Sequence, residues 1–127
     1  MISGPFFKLL NIFNTRSKLG GNLGATNLDL KTLQYLKNDL GFSSFLDIGC
    51  GTGGMVFNAI NYGLIARGIE GDPNSIPKDC PIIKCVDYRI GSSNLSSNFD
   101  LGWSVEFLEH VPSSFEKNYF KDSRLVK

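Results

Sequence analysis

An excess of charge of either sign is missing from this sequence: 13 basic against 12 acidic residues leave a formal charge of +1. That balance provides no broad positive field for a nucleic-acid backbone, so general nucleic-acid binding is not expected. Also missing is any apolar run near the roughly 20 residues that cross a bilayer, and a membrane role is not expected. The early stretch Phe6-Phe7-Lys8-Leu9-Leu10-Asn11-Ile12-Phe13 is interrupted by Lys8 and Asn11 and has no basic segment before it. It reads as an N-terminal helix against the domain, not as a secretory signal. Cysteine is scarce, three residues at irregular spacing, which fits a reducing, cytoplasmic setting and not a disulfide framework. Cys80 and Cys85 bracket a strand with a spacing that suits neither a redox pair nor a zinc knuckle, and they read as buried free thiols. Histidine is scarcer still: His110 is the only one, so imidazole chemistry has a single candidate.

What is present fits one globular domain. The 127 residues are 42% apolar and 20% charged, enough for a modest core. Residues 1–26 read as an extension, flexible from Ser17 to Gly24 where Gly, Asn and Lys dominate, and residues 27–127 as the domain. A helix is expected from a cap at Thr26 or Asn27 to about Leu40, with Leu33, Leu36 and Leu40 on one face and Gly41 as its stop. Strands are expected at Phe45 to Ile48, Ile65 to Glu70, Ile82 to Val86 and Phe99 to Trp103, the third buried on both faces. Helices are expected at Gly54 to Tyr62 and at Ser113 to Lys121, the latter with Phe115, Tyr119 and Phe120 as apolar contacts. Asp72-Pro73-Asn74 starts a short helical turn, and Gly91 to Asn98 is a loop. Alternation of strands and helices implies an α/β fold with parallel pairing.

The densest signal is Phe45-Leu46-Asp47-Ile48-Gly49-Cys50-Gly51-Thr52-Gly53-Gly54. A short apolar strand carries an acid near its end and runs into alternating glycines, which let bare backbone approach a nucleotide-like ligand. A second strand then ends in Glu70, where a βαβ unit presents an acid to ribose hydroxyls. Gly49, Gly51 and Gly54 also satisfy the dinucleotide spacing G-x-G-x-x-G, so the glycines alone leave a nicotinamide cofactor open. Asp47 favours another ligand: a negative charge at the turn opposes a pyrophosphate and attracts the cationic amino group and sulfonium of S-adenosylmethionine.

On these residues the chain resembles the Rossmann-like (class I) S-adenosylmethionine-dependent methyltransferases, whose first motif matches Asp47, Gly49, Gly51 and Gly53. The resemblance implies a three-layer sandwich with a mostly parallel sheet, and S-adenosylmethionine as cofactor. In the family an acid after the second strand binds the ribose, here Glu70, and one after the third faces the adenine, here Asp87. The run Phe99 to Pro112 is similar to the L-E-H-V segment of small-molecule methyltransferases, which implies a small-molecule acceptor and places Trp103 beside the methionine moiety. The family sheet has seven strands. The C-terminal ones are therefore expected to be missing or rudimentary here, with Arg124 to Lys127 at most beginning a fifth. An exposed sheet edge would then invite a homodimer. His110, with Glu109 beside it, lies in the loop after the fourth strand, where a neutral imidazole accepts a nucleophile's proton. Glu106, Glu109 and His110 also resemble the E-x-x-E-H of ubiquinone-pathway O-methyltransferases, which hold a divalent cation. The same letters occur in relatives with no known metal, and none is assigned here.

Overall fold

The computed structural model describes residues 28–105 and 107–127. The expected N-terminal helix, the connector, the caps Thr26 and Asn27, and Glu106 lie outside the described residues. The elements run α1 (Leu30–Asn38), β1 (Ser44–Ile48), α2 (Gly54–Asn61), β2 (Ile65–Glu70), β3 (Ile83–Cys85), β4 (Leu101–Trp103), and α3 (Glu116–Ser123). Short 3₁₀ turns at Leu108–His110 and Ser113–Phe115 precede α3. Among the described residues no helix is long and apolar enough to cross a membrane.

The four strands form one sheet in the order β3-β2-β1-β4, and every pairing is parallel. A core lies on each face, as the alternation of side chains along β1 requires. Phe45 joins Leu33, Met55, Val56 and Phe57 on one side, while Leu46 and Ile48 join Ile69, Val86, Phe99 and Tyr119 on the other. Helices α1 and α2 therefore cover the first face and α3 the second, which makes the three layers. At the far end from the glycine turn, Asp100 staples β4 to β1. Its carboxylate accepts from the Ser43 amide and hydroxyl, both at 2.8 Å, and from Lys127 Nζ at 3.1 Å. These bonds, the Ser43 amide first, hold its carboxyl well below the usual carboxylate range.

Several local expectations change. The cap of α1 is Asp29, whose carboxylate accepts from the Thr32 amide at 3.1 Å, so the helix begins later than expected. Leu40 lies beyond it and is exposed, although Gly41 does take the left-handed conformation that ends the segment. The short turn expected at Asp72 does form, its carbonyl accepting from the Ser75 amide at 3.1 Å and its carboxylate from the Asn74 amide at 2.9 Å. The last helix is split, because the segment from Ser113 first winds as a 3₁₀ turn, and Phe120 is exposed. The three cysteines form no disulfide, and only Cys50 is buried. Cys85 and Lys84 are exposed because β3 is an edge strand, not one covered on both faces. The rudimentary fifth strand is one parallel bridge, Val126 to Phe99.

Candidate functional site

The switch point of this sheet lies between β1 and β4, where the crossovers leave in opposite directions and α/β sheets open a crevice at the carboxyl ends. The glycine turn occupies that point. Gly49 and Cys50 donate together to the Ile69 carbonyl, at 2.8 and 3.0 Å, which ties the turn to the end of β2. Gly49 has φ of 82° and Gly53 of 90°, a region in which a side chain is strained. Their bare faces meet different neighbours. A Cβ on Gly53 would lie 2.5 Å from Ile83 Cδ1, so this glycine lets α2 close onto β3. A Cβ on Gly49 would lie 2.7 Å from Phe107 Cβ and closer still to ring atoms Cγ and Cδ2.

Two acids flank the turn. Asp47 is 3% exposed, and burial, then the charge of Glu70, pushes its carboxyl up to about 8. Before any ligand arrives it therefore carries a proton at neutral pH. The fixed negative charge that the sequence suggested for Asp47 is present only after a cation draws that proton off. Glu70 is half-buried and engaged with backbone: it accepts from Gly51 N at 2.6 Å, Gly71 N at 2.7 Å and Asp72 N at 2.9 Å. A carboxylate has about four lone-pair sites, so capacity for one further donor remains.

Beyond Glu70 a cavity of about 230 Å³ opens between the ends of β2 and β3 and the segment after β4. Gly71, Asp87, Tyr88, Arg89, Phe107 and His110 are among its walls. Arg89 grips Asp87, with Nε 2.9 Å from Oδ1 and Nη2 2.6 Å from Oδ2, and these bonds hold the Asp87 carboxyl below its ordinary value. The side chains of His110 and Glu109 are 74% and 57% exposed and stand 3.9 Å apart, Nε2 to Oε1. Trp103 pairs in register with Asp47, but its half-buried ring packs toward Phe45, centroids 6.4 Å apart, and is not on the cavity wall. Glycine turn, Asp47, Glu70, Asp87 and His110 thus lie along one edge of the sheet, and Trp103, across from Asp47, also packs against the core.

Two solved structures are similar to this chain in fold. An S-adenosylmethionine-dependent methyltransferase from Clostridium acetobutylicum matches with a TM-score of 0.56 at 19% identity, over 96% of this chain and 53% of that one. The plantazolicin methyltransferase BpumL, solved in complex with SAH, matches with a TM-score of 0.56 at 16% identity, over 95% of this chain and 49% of its own. The fold is the Rossmann-like methyltransferase fold. This chain spans about half the length of those two. No family model matches the sequence, and no curated protein does.

Within the methyltransferase fold, the structure ties Tyr88, which the sequence left between an adenine contact and plain packing, to residues that the sequence reading left without a role. Tyr88 donates from its hydroxyl to Asp122 Oδ2 at 2.6 Å, and Asp122 also accepts from Ser93 Oγ at 2.6 Å and from the Ser93 amide. Burial and these contacts raise the Tyr88 phenol far above its ordinary value, so it stays a neutral donor. The bond anchors a cavity wall to α3. Its one trace in the sequence is Asp122 three positions after Tyr119, which puts an acid on the apolar side of the helix. Phe107 left no comparable trace. Its contact with Gly49 joins residues far apart in the chain.

Proposed function

We propose that the chain binds S-adenosylmethionine and transfers its methyl group to a small-molecule acceptor. One observation supports this most: the Gly51 N–H, an amide that a pyrophosphate at this turn would call on, already donates to Glu70 at 2.6 Å. A second anion there would face the Glu70 carboxylate at close range, whereas a cationic amino group beside Asp47 and a ribose hydroxyl at Glu70 meet acceptors. The residues present therefore fit the cofactor's chemistry. Asp47 would take the amino group, Glu70 the ribose, and the cavity by Asp87 and Tyr88 the base, with Gly49, Gly51 and Gly53 shaping the turn. The cofactor supplies a sulfonium methyl that an acceptor displaces in line. The chain's own part is largely orientation, and near-attack positioning is worth about 7–11 kcal/mol. His110 lines the cavity with Glu109 near it, and in this reading it takes the acceptor's proton.

Calorimetric titration with S-adenosylhomocysteine and, separately, with NAD tests the reading. Binding of the former alone is expected. Binding of NAD alone would replace the proposal with a nicotinamide-dependent oxidoreductase. A second reading, cofactor binding without transfer, draws on the open placement of Glu109 and His110, both far more exposed than Asp47. Methyl transfer from labelled cofactor to any acceptor would dismiss it. A cytoplasmic setting, and pairing of two copies along a sheet edge, complete the proposal.

A further inference from the structure

The three strand ends that form the proposed cofactor cleft lie side by side in the order β3-β2-β1, spaced by about 4.8 Å as neighbouring strands are. A ligand laid across them meets Asp87 and Tyr88 at one end, Glu70 in the middle, and Asp47 with Gly49 at the other. The two ends differ in this structure. At the β3 end the cavity of about 230 Å³ is open. At the β1 end, the side of Gly49 that a Cβ would take is filled by the Phe107 side chain.

Phe107 belongs to a cluster of rings of unequal anchorage. Its centroid is 6.1 Å from Tyr88, edge-on, and 6.0 Å from Tyr119. Tyr88 is fixed by its bond to Asp122 and by Asn118 Nδ2, which donates to its carbonyl at 2.7 Å. Tyr119 is buried on α3 and donates to Ser104 Oγ at 3.1 Å. Phe107 is only half-buried, sits outside any strand or α-helix, and has an apolar ring with no hydrogen bond to hold it. Of the three it is the ring that moves at least cost.

We propose that Phe107 is a specificity-determining plug: its ring over Gly49 closes the amino-acid end of the cleft and leaves the nucleoside end open. The inference rests on the reading of this cleft as an S-adenosyl site. A nucleoside without an amino-acid tail then enters with the ring in place. The tail reaches Gly49 and Asp47 only once the ring has left Tyr88 and Tyr119, and the loss of those contacts is subtracted from whatever the tail contributes. Shortening residue 107 removes that opposition for the tailed ligand alone.

The test is calorimetric titration of the wild-type chain, Phe107→Ala and Phe107→Leu with two probes, S-adenosylhomocysteine and 5′-methylthioadenosine, which lacks the tail. Phe107→Ala is expected to tighten S-adenosylhomocysteine at least tenfold relative to 5′-methylthioadenosine, whose affinity also carries what the ring contributes as part of the cavity wall. Phe107→Leu keeps most of the buried apolar volume, and a smaller gain in the same direction is expected even if the alanine variant folds poorly. Equal changes for the two probes, or no gain for the tailed one, would show that Phe107 is a plain wall and overturn the inference while the cofactor reading stands. If neither probe binds any of the three proteins, the cofactor reading falls as well.

Discussion

Because the Asp47 carboxyl is buried beside Glu70 and pushed up to about 8, the folded chain keeps a proton across a pH range in which the unfolded chain has lost it. Stability falls with rising pH wherever the folded state binds more protons, so the contribution is complete below the ordinary carboxylate value and is lost as pH rises through about 8. Denaturant titrations between pH 5 and 8.5 should show stability declining across that window, and Asp47→Asn should flatten the decline. Ligand binding carries the same signature with opposite sign. A cationic amino group next to Asp47 favours the charged form, so S-adenosylhomocysteine should bind more tightly as pH rises from 6 to 8 and release a proton on binding. Calorimetry in buffers of different ionisation enthalpy measures that proton directly, and its absence would remove Asp47 from contact with the amino group. Cys50, buried with its thiol raised by burial and by Asp47, is not a competing nucleophile.

Strand β2 was legible to the residue, and β1 to within one, because a run such as Ile65 to Glu70 ends on its own punctuation: a glycine before it and Gly71 after it. The glycine turn was legible for the same reason, since local backbone demands leave local residues. Contacts between distant elements leave no such mark. The meeting of Gly53 with Ile83 and of Gly49 with Phe107 depends on how α2 and the segment after β4 settle on the sheet. Neither Ile83 nor Phe107 can be read from the stretch of the glycine it meets. The edge position of β3 was hidden likewise, because strand order is a property of the whole sheet. Gly53→Ala separates the two demands on that glycine. The left-handed φ of 90° costs a non-glycine residue about 1–3 kcal/mol, and the crowding by Ile83 Cδ1 adds to it. Ile83→Val removes that terminal methyl, so the double variant should recover the Ile83 share of the crowding and neither the share from Phe57 Cε2, 2.9 Å from such a Cβ, nor the backbone part. Chemical denaturation of the four proteins reads the difference as a coupling energy.

Among the described residues, the sheet ends at β3 on one side and at β4 on the other. An open strand edge is a template for pairing with another chain. On the β4 side the cover is slight: Phe99 donates to the Leu125 carbonyl at 2.7 Å and accepts from the Lys127 amide at 2.9 Å. Val126, between them, lies so near Gly102 that a Cβ there would be 2.5 Å from Val126 Cγ2. Side-chain room at Gly102 has therefore been given over to a terminal segment that shields the edge. Lys127→Pro takes away one amide of that bridge and the Lys127 ion pair with Asp100 while leaving the core untouched. The stability change should be near 1 kcal/mol, since a single backbone hydrogen bond and an exposed ion pair are each worth about that or less. The change in association should be larger, because the Phe99 carbonyl just before β4 would lose its partner and lengthen the open edge along which a second copy pairs. Sedimentation velocity over a range of concentrations should show the variant forming dimers at concentrations where the wild-type chain is mainly monomeric. Equal association of the two would mean that β4 is not the edge through which copies meet, and would turn attention to β3, where Lys84 and Cys85 are exposed.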